Sequence, residues 1–240
     1  MTKISLPVND LSLAVDKFGP DSGPTILFLH AGGESRTVWK PIIRQLRDTN
    51  WQLLAPDLRG HGQSDYADQY LFDDFIADGR KLIQQLAGSP LVMVGGSIGG
   101  LVGLIIAGTA DSPVNGLILL DVPTNPSQTA AQRESRKVAD GIVRQVSTLA
   151  HVDPKVVSGE LVQDILSDPS RIRNASQQIS VPTMLIRGSR SLAVGEAEQL
   201  AFIEDIPHGR IETVEAGHLV ARDRPELVAE LIRAFLIKYW

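Results

Sequence analysis

The sequence predicts an α/β domain, a mostly parallel twisted sheet with helices on both faces. Two observations lead there. Short apolar runs, among them Thr25–His30, Gln52–Pro56 and Leu91–Val94, alternate with segments of helical period. Such runs suit strands buried on both faces, which need helices above and below. Four residues able to do chemistry, His30, Ser97, Asp121 and His218, fall at the carboxyl ends of strand-like runs. Open parallel sheets bind their ligands at those ends.

Each element has its own reason. Ile4–Val8 and Leu11–Phe18 read as an N-terminal hairpin. Thr25–His30 is a strand, Thr37–Asp48 a helix and Gln52–Pro56 the next strand. Phe72–Ala87 carries Phe72, Phe75, Ile76, Leu82, Ile83 and Leu86 as one helical stripe. Leu91–Val94 is a strand, and Leu101–Ala107 reads as a buried helix. Val114–Leu120, Val181–Ile186 and Arg210–Val214 complete the strands. Between Val122 and Ser180 the alternation breaks. Pro123-Thr124-Asn125-Pro126 is a turn-rich linker, followed by helix-like stretches at Ser127–Leu149 and Pro154–Leu166.

Composition bounds the function. The 240 residues, 43 % hydrophobic, suit one domain with a large core and a modest insertion. The net charge of −5, without a block of like charge, argues against nucleic acid as a partner, because phosphates need a basic face. Without cysteine the chain can form neither a disulfide nor a thiol nucleophile. The N-terminus lacks a signal-like apolar core, and no run approaches the roughly 18 apolar residues of a membrane span. The expectation is a cytoplasmic protein with a small-molecule substrate and neither membrane nor nucleic-acid partner; a homodimer stays open. The five histidines are scattered, and neither a His-Glu-x-x-His nor a dinucleotide or phosphate loop is present, so neither metal nor cofactor is expected.

The chemistry centres on Val94-Gly95-Gly96-Ser97-Ile98-Gly99-Gly100, between the strand-like and helical runs. A serine on such a turn, with glycines two residues before and two and three residues after it, forms a nucleophile elbow. The sharp turn leaves no room for flanking side chains. It also exposes the hydroxyl near N–H groups that a helix start cannot pair internally. His218, in Glu215-Ala216-Gly217-His218-Leu219 after the strand-like Arg210–Val214, sits where a general base for Ser97 belongs. The backbone N–H of Ile98, directly after the nucleophile, is a donor for a developing oxyanion.

With these residues the chain resembles the α/β-hydrolase superfamily. Phe28-Leu29-His30-Ala31-Gly32-Gly33, Pro56-Asp57-Leu58-Arg59-Gly60-His61-Gly62-Gln63-Ser64, the elbow and Gly217-His218 carry the likeness, from about residue 20 onward. His30–Trp39, Val181-Pro182-Thr183 and Gly217–Ala221 look like a broad group of small bacterial hydrolases of mostly unassigned substrate. The resemblance implies a core of residues 1–122 and 181–240, with 123–180 as a helical cap. It implies Gly32 as second oxyanion donor and a pocket near Gly33 and Trp39, although core packing also suits Trp39. It makes His30 a support of the oxyanion loop and His61 a holder of backbone. His151, His208 and Arg190 fall in exposed positions.

The triad acid departs from the family pattern. Members of the family usually carry an aspartate in the loop after Val181–Ile186. Here that loop reads Arg187-Gly188-Ser189-Arg190-Ser191-Leu192-Ala193-Val194, without a carboxylate. Asp121, ending the strand beside the elbow strand, is the favoured substitute. Glu196, or no acid at all, stays open. The implied activity is that of a cofactor-independent, carboxylesterase-like serine hydrolase. Its substrate is a small ester, lactone or thioester, or a carbon–carbon bond next to a ketone. Halide and epoxide chemistry is disfavoured, because those hydrolases place aspartate at the elbow. The alternative is a non-catalytic ligand-binding protein on the same fold.

Overall fold

A computed structural model describes residues 2–125, 151–157 and 159–240. The sheet contains β1 (Thr2–Val8), β2 (Leu11–Phe18), β3 (Thr25–Leu29), β4 (Gln52–Pro56), β5 (Leu91–Gly96), β6 (Gly116–Leu120), β7 (Thr183–Gly188) and β8 (Arg210–Val214). Their spatial order is β1-β2-β4-β3-β5-β6-β7-β8. β1 and β2 form the expected hairpin, β2 lies antiparallel to β4, and the remaining pairs are parallel. β5 therefore lies centrally, next to β6, and its carboxyl end is flanked by those of β3 and β6.

Alternation along each strand divides the core in two. On β3, Ile26 and Phe28 face one side, and Leu27 and Leu29 the other. The first side packs against α1 (Lys40–Leu46) and α8 (Pro225–Tyr239), the second against α2 (Phe72–Leu86) and α3 (Ile98–Ala107). The stripe expected on α2 is buried at Phe72, Phe75, Ile76, Leu82 and Ile83. Each such side chain contributes roughly 1.5–3 kcal/mol on leaving water. Among the described residues no helix is long and apolar enough to cross a membrane.

Other element ends shift by at most three residues, but two helices differ further from expectation. The helix expected at Thr37–Asp48 is a 3₁₀ turn, Arg36–Trp39, followed by α1. Pro41 stands in the first turn of α1, where its missing N–H costs nothing. The stretch expected to be helical at Ser127–Leu149 lies outside the described residues. The next one, expected at Pro154–Leu166, becomes helical only at α4 (Glu160–Ser167). The residues before it are held in turns by the 57–64 loop: Asp153 N–H donates to Gly60 O (2.8 Å), and Gly62 N–H to His151 O (3.0 Å). A further helix, α5 (Pro169–Gln178), runs beside α3. There a Cβ on Gly108 would come within 2.3 Å of Ala175 O. The remaining helices are α6 (Glu196–Asp205) and α7 (Val220–Asp223).

The loop after β4 clamps the loop after β3. Asp57, fully buried, accepts hydrogen bonds from Arg36 N–H (2.7 Å), Gln63 N–H (2.8 Å) and the Arg36 guanidinium. The guanidinium also reaches Asp16 at 3.0 Å. Arg59 makes two 2.7 Å bonds to Asp78 on α2. Removing one partner of such a buried pair leaves a charge uncompensated. Asp57→Ala is therefore expected to cost about 3 kcal/mol of stability, measured by urea denaturation.

Candidate active site

β5 and β6 pair in register through Gly96 and Leu120, so the next residues, Ser97 and Asp121, emerge side by side. Both leave the sheet with left-handed backbones, φ 46° at Ser97 and 56° at Asp121. A non-glycine residue in such a conformation costs on the order of 1–3 kcal/mol and persists only where its surroundings enforce it. Close packing supplies that enforcement at the elbow. A Cβ on Gly95 would lie 2.5 Å from Gly100 N, and one on Gly99 would lie 2.3 Å from Leu29 O.

Ile98 opens α3, so its N–H has no intrahelical partner. Gly32 lies beside it: a Cβ there would meet Ile98 Cγ2 at 3.8 Å. The two expected oxyanion donors are thus neighbours. Gly33 is turned inward, its N–H donating to His61 Nε2 at 3.3 Å.

The loop after β8 brings His218 to Asp121. His218 Nδ1 lies 2.7 Å from Asp121 Oδ2, and Asp121 has no solvent exposure. Because an ionised carboxylate only accepts, Nδ1 is the donor in this contact. Asp121 accepts two further bonds, from Gly188 N–H (3.0 Å, to Oδ1) and from the Ser191 hydroxyl (to Oδ2). The Ser191 oxygen itself accepts Ala193 N–H at 3.1 Å, which directs its hydrogen to Asp121. The loop without an acid thus holds the acid of the neighbouring strand. Leu192, where the family pattern would place aspartate, is 60 % exposed. Glu196 is exposed at the start of α6. Among the described residues Ser97 Oγ has no hydrogen-bond partner. Such bonds are often long without substrate and tighten on binding.

The other histidines are placed apart from this arrangement. His30 Nδ1 donates to Ala31 O (2.9 Å) while Nε2 accepts Leu58 N–H (2.9 Å). His61 donates to Arg59 O at 2.8 Å and accepts Gly33 N–H. Burial lowers His30 to about 4 and His61 to about 3, so both stay neutral near pH 7. His151 and His208 are exposed, and Arg190 pairs with Glu215 at 3.3 Å. Trp39 is buried against Phe28, ring centroids 5.2 Å apart, and also lines a small cavity beside His218. No cluster of three metal-binding side chains occurs among the described residues.

Sequence reasoning missed Ser191 and Glu34. Ser191 lay in the loop searched only for carboxylates. Glu34, in the turn after β3, gave no signal beyond its charge, yet it is buried next to His218.

Sheet order, elbow and strand-end histidine together describe a protein of the α/β-hydrolase class. The chain belongs to the alpha/beta hydrolase fold family, whose profile matches residues 24–168. It is similar to lipase LipV of Mycobacterium tuberculosis, 25 % identical over 94 % of this chain and 98 % of that protein. The esterase Rv0045c of the same organism is 27 % identical over 90 % of this chain and 83 % of its own. The crystal structure of an enol-lactonase from Burkholderia xenovorans superposes with a TM-score of 0.80, at 21 % identity over 98 % of this chain and 100 % of the other.

Ser191→Ala removes one of the donors to a fully buried carboxylate. The variant is expected to lose about 1.5–3 kcal/mol of unfolding free energy in urea titrations.

Proposed function

We propose that the chain is a cofactor-independent serine hydrolase of the carboxylic-ester class, with Ser97 as nucleophile, His218 as base and Asp121 as the acid that orients it. The 2.7 Å contact between His218 Nδ1 and Asp121 Oδ2, one strand from Ser97, carries this reading. Ser97 Oγ attacks a carbonyl carbon while its proton passes to His218 Nε2, and the carbonyl π pair moves onto oxygen. The N–H groups of Ile98 and Gly32 receive that oxyanion, each worth roughly 3 kcal/mol of barrier. The intermediate collapses, and the leaving group departs with the proton from Nε2. Water, deprotonated by the same nitrogen, then releases the acid and restores Ser97.

Relatives named lipase, esterase and enol-lactonase support a small ester or lactone as substrate. Thioesters and bonds beside ketones fit the same attack. Residues 123–180 are the segment proposed to cap the site and choose the acyl group. A loop after β7 without an acid would suit a non-catalytic ligand-binding protein, but a carboxylate reaching His218 from β6 favours the hydrolase.

A fluorophosphonate probe is expected to label Ser97 rapidly at neutral pH, and His218→Ala to abolish the labelling. Folded wild-type protein that stays unlabelled overturns the proposal. On a p-nitrophenyl ester, Asp121→Asn is expected to lower kcat by about 10⁴. Glu196→Gln should leave kcat unchanged, and the opposite ranking would move the acid to α6.

A further inference from the structure

A small cavity is walled by Glu34, Trp39, Gly96 and His218, the remainder being aliphatic. It has room for about one water. Two of its wall residues have unsatisfied polar atoms. Glu34 is 5 % exposed, and its Oε1 is buried without a partner; the indole N–H of Trp39 is likewise buried and unpaired. An orphaned acceptor and an orphaned donor on one cavity of that size match a bridging water, which accepts from the indole and donates to the carboxyl group.

The carboxyl group also couples to its charged surroundings. Burial pushes Glu34 up to about 7. The groups facing it are His218 and Arg222, which favour its ionised form, and Asp223, which opposes it. His218 lines the same cavity as Glu34 and bonds Asp121 through Nδ1.

We propose that Glu34 is a positioning residue for the reaction. It is a second carboxyl group that holds a water against the Trp39 indole and, once ionised, stabilises the imidazolium formed when Ser97 gives its proton to His218. This role rests on the hydrolase reading above. No atom of Glu34 takes part in bond making. The Ser97 proton moves to Nε2 and returns to the leaving group, while Glu34 keeps its charge throughout.

The sign of the pH effect follows. Below about pH 7 Glu34 is neutral and contributes little; above it the negative charge favours the imidazolium. The kcat of wild type on a p-nitrophenyl ester is expected to rise with pH through two ionisations. Glu34→Gln should keep one, with a plateau lower by about fivefold and KM unchanged. Stability supplies a readout independent of the reaction. Folded Glu34 keeps its proton between 4.5, its ordinary value, and about 7, whereas the unfolded chain releases it. Folding takes up a proton in that window, so stability falls as pH rises across it. Thermal denaturation from pH 5 to 8 should show Glu34→Gln gaining on wild type as pH increases.

A Glu34→Gln rate profile with the wild-type shape, or a stability difference independent of pH, overturns this role while Ser97 still labels. Wild-type protein unlabelled by fluorophosphonate sinks the hydrolase reading and this role together.

Discussion

The structure is organised around a carboxylate sealed from water. Ionised Asp121 has no solvent exposure, so the hydration it loses must be replaced by donors from the protein. Three donors supply it, and each comes from a different part of the chain: Gly188 at the end of β7, Ser191 in the loop beyond, and His218 after β8. The charge thereby draws three neighbouring strand ends to one point. It also sets which ring nitrogen of His218 holds the hydrogen in that contact, since a carboxylate only accepts.

The elbow shows the complementary constraint, steric in origin. Ser97 sits at φ 46° because its neighbours leave the backbone no other path. Strand β5 runs straight into α3, Gly95 and Gly100 let the two meet at distances no Cβ would permit, and Gly99 does the same for α3 against the end of β3. Strain at the serine is thus held by close packing from residues that carry no chemistry. The same register that pairs Gly96 with Leu120 brings a second left-handed residue, Asp121, beside it. Two strained strand ends next to each other give the proposed nucleophile and acid fixed positions before any substrate arrives.

Much of this was legible in the chain because it is local. The β5 run, the glycines around Ser97 and the stripe on α2 each depend on residues within about a dozen positions, and each announces its element. The position of Asp121 was also legible, since it needs only the end of one strand and the order of two. What could not be read were contacts across long loops. Ser191 reaches Asp121 over a separation of 70 residues, and nothing in Ser189-Arg190-Ser191 marks which hydroxyl will face inward. Glu34 reads as an ordinary charged turn residue until β3, the 3₁₀ turn and α7 close over it. The α4 start was misplaced for a related reason: residues 151–157 follow the 57–64 loop instead of their own helical preference.

The turn from His30 to Arg36 joins these parts. His30, Gly33 and Arg36 bind the loop after β4 through Leu58, His61 and Asp57. Between those anchors the turn places Gly32 beside Ile98 and Glu34 on the cavity that His218 also lines. The titrating groups of the turn and of the 57–64 loop it binds act in opposite senses. His30 and His61, lowered to about 4 and about 3, stay neutral in the folded state, so stability is lost as pH falls below their ordinary 6.5. Glu34, raised to about 7, withdraws stability as pH rises from 4.5. The two histidines keep one hydrogen-bond pattern throughout the range in which Glu34 changes charge. The turn is therefore anchored in one shape while the charge proposed to act on His218 changes.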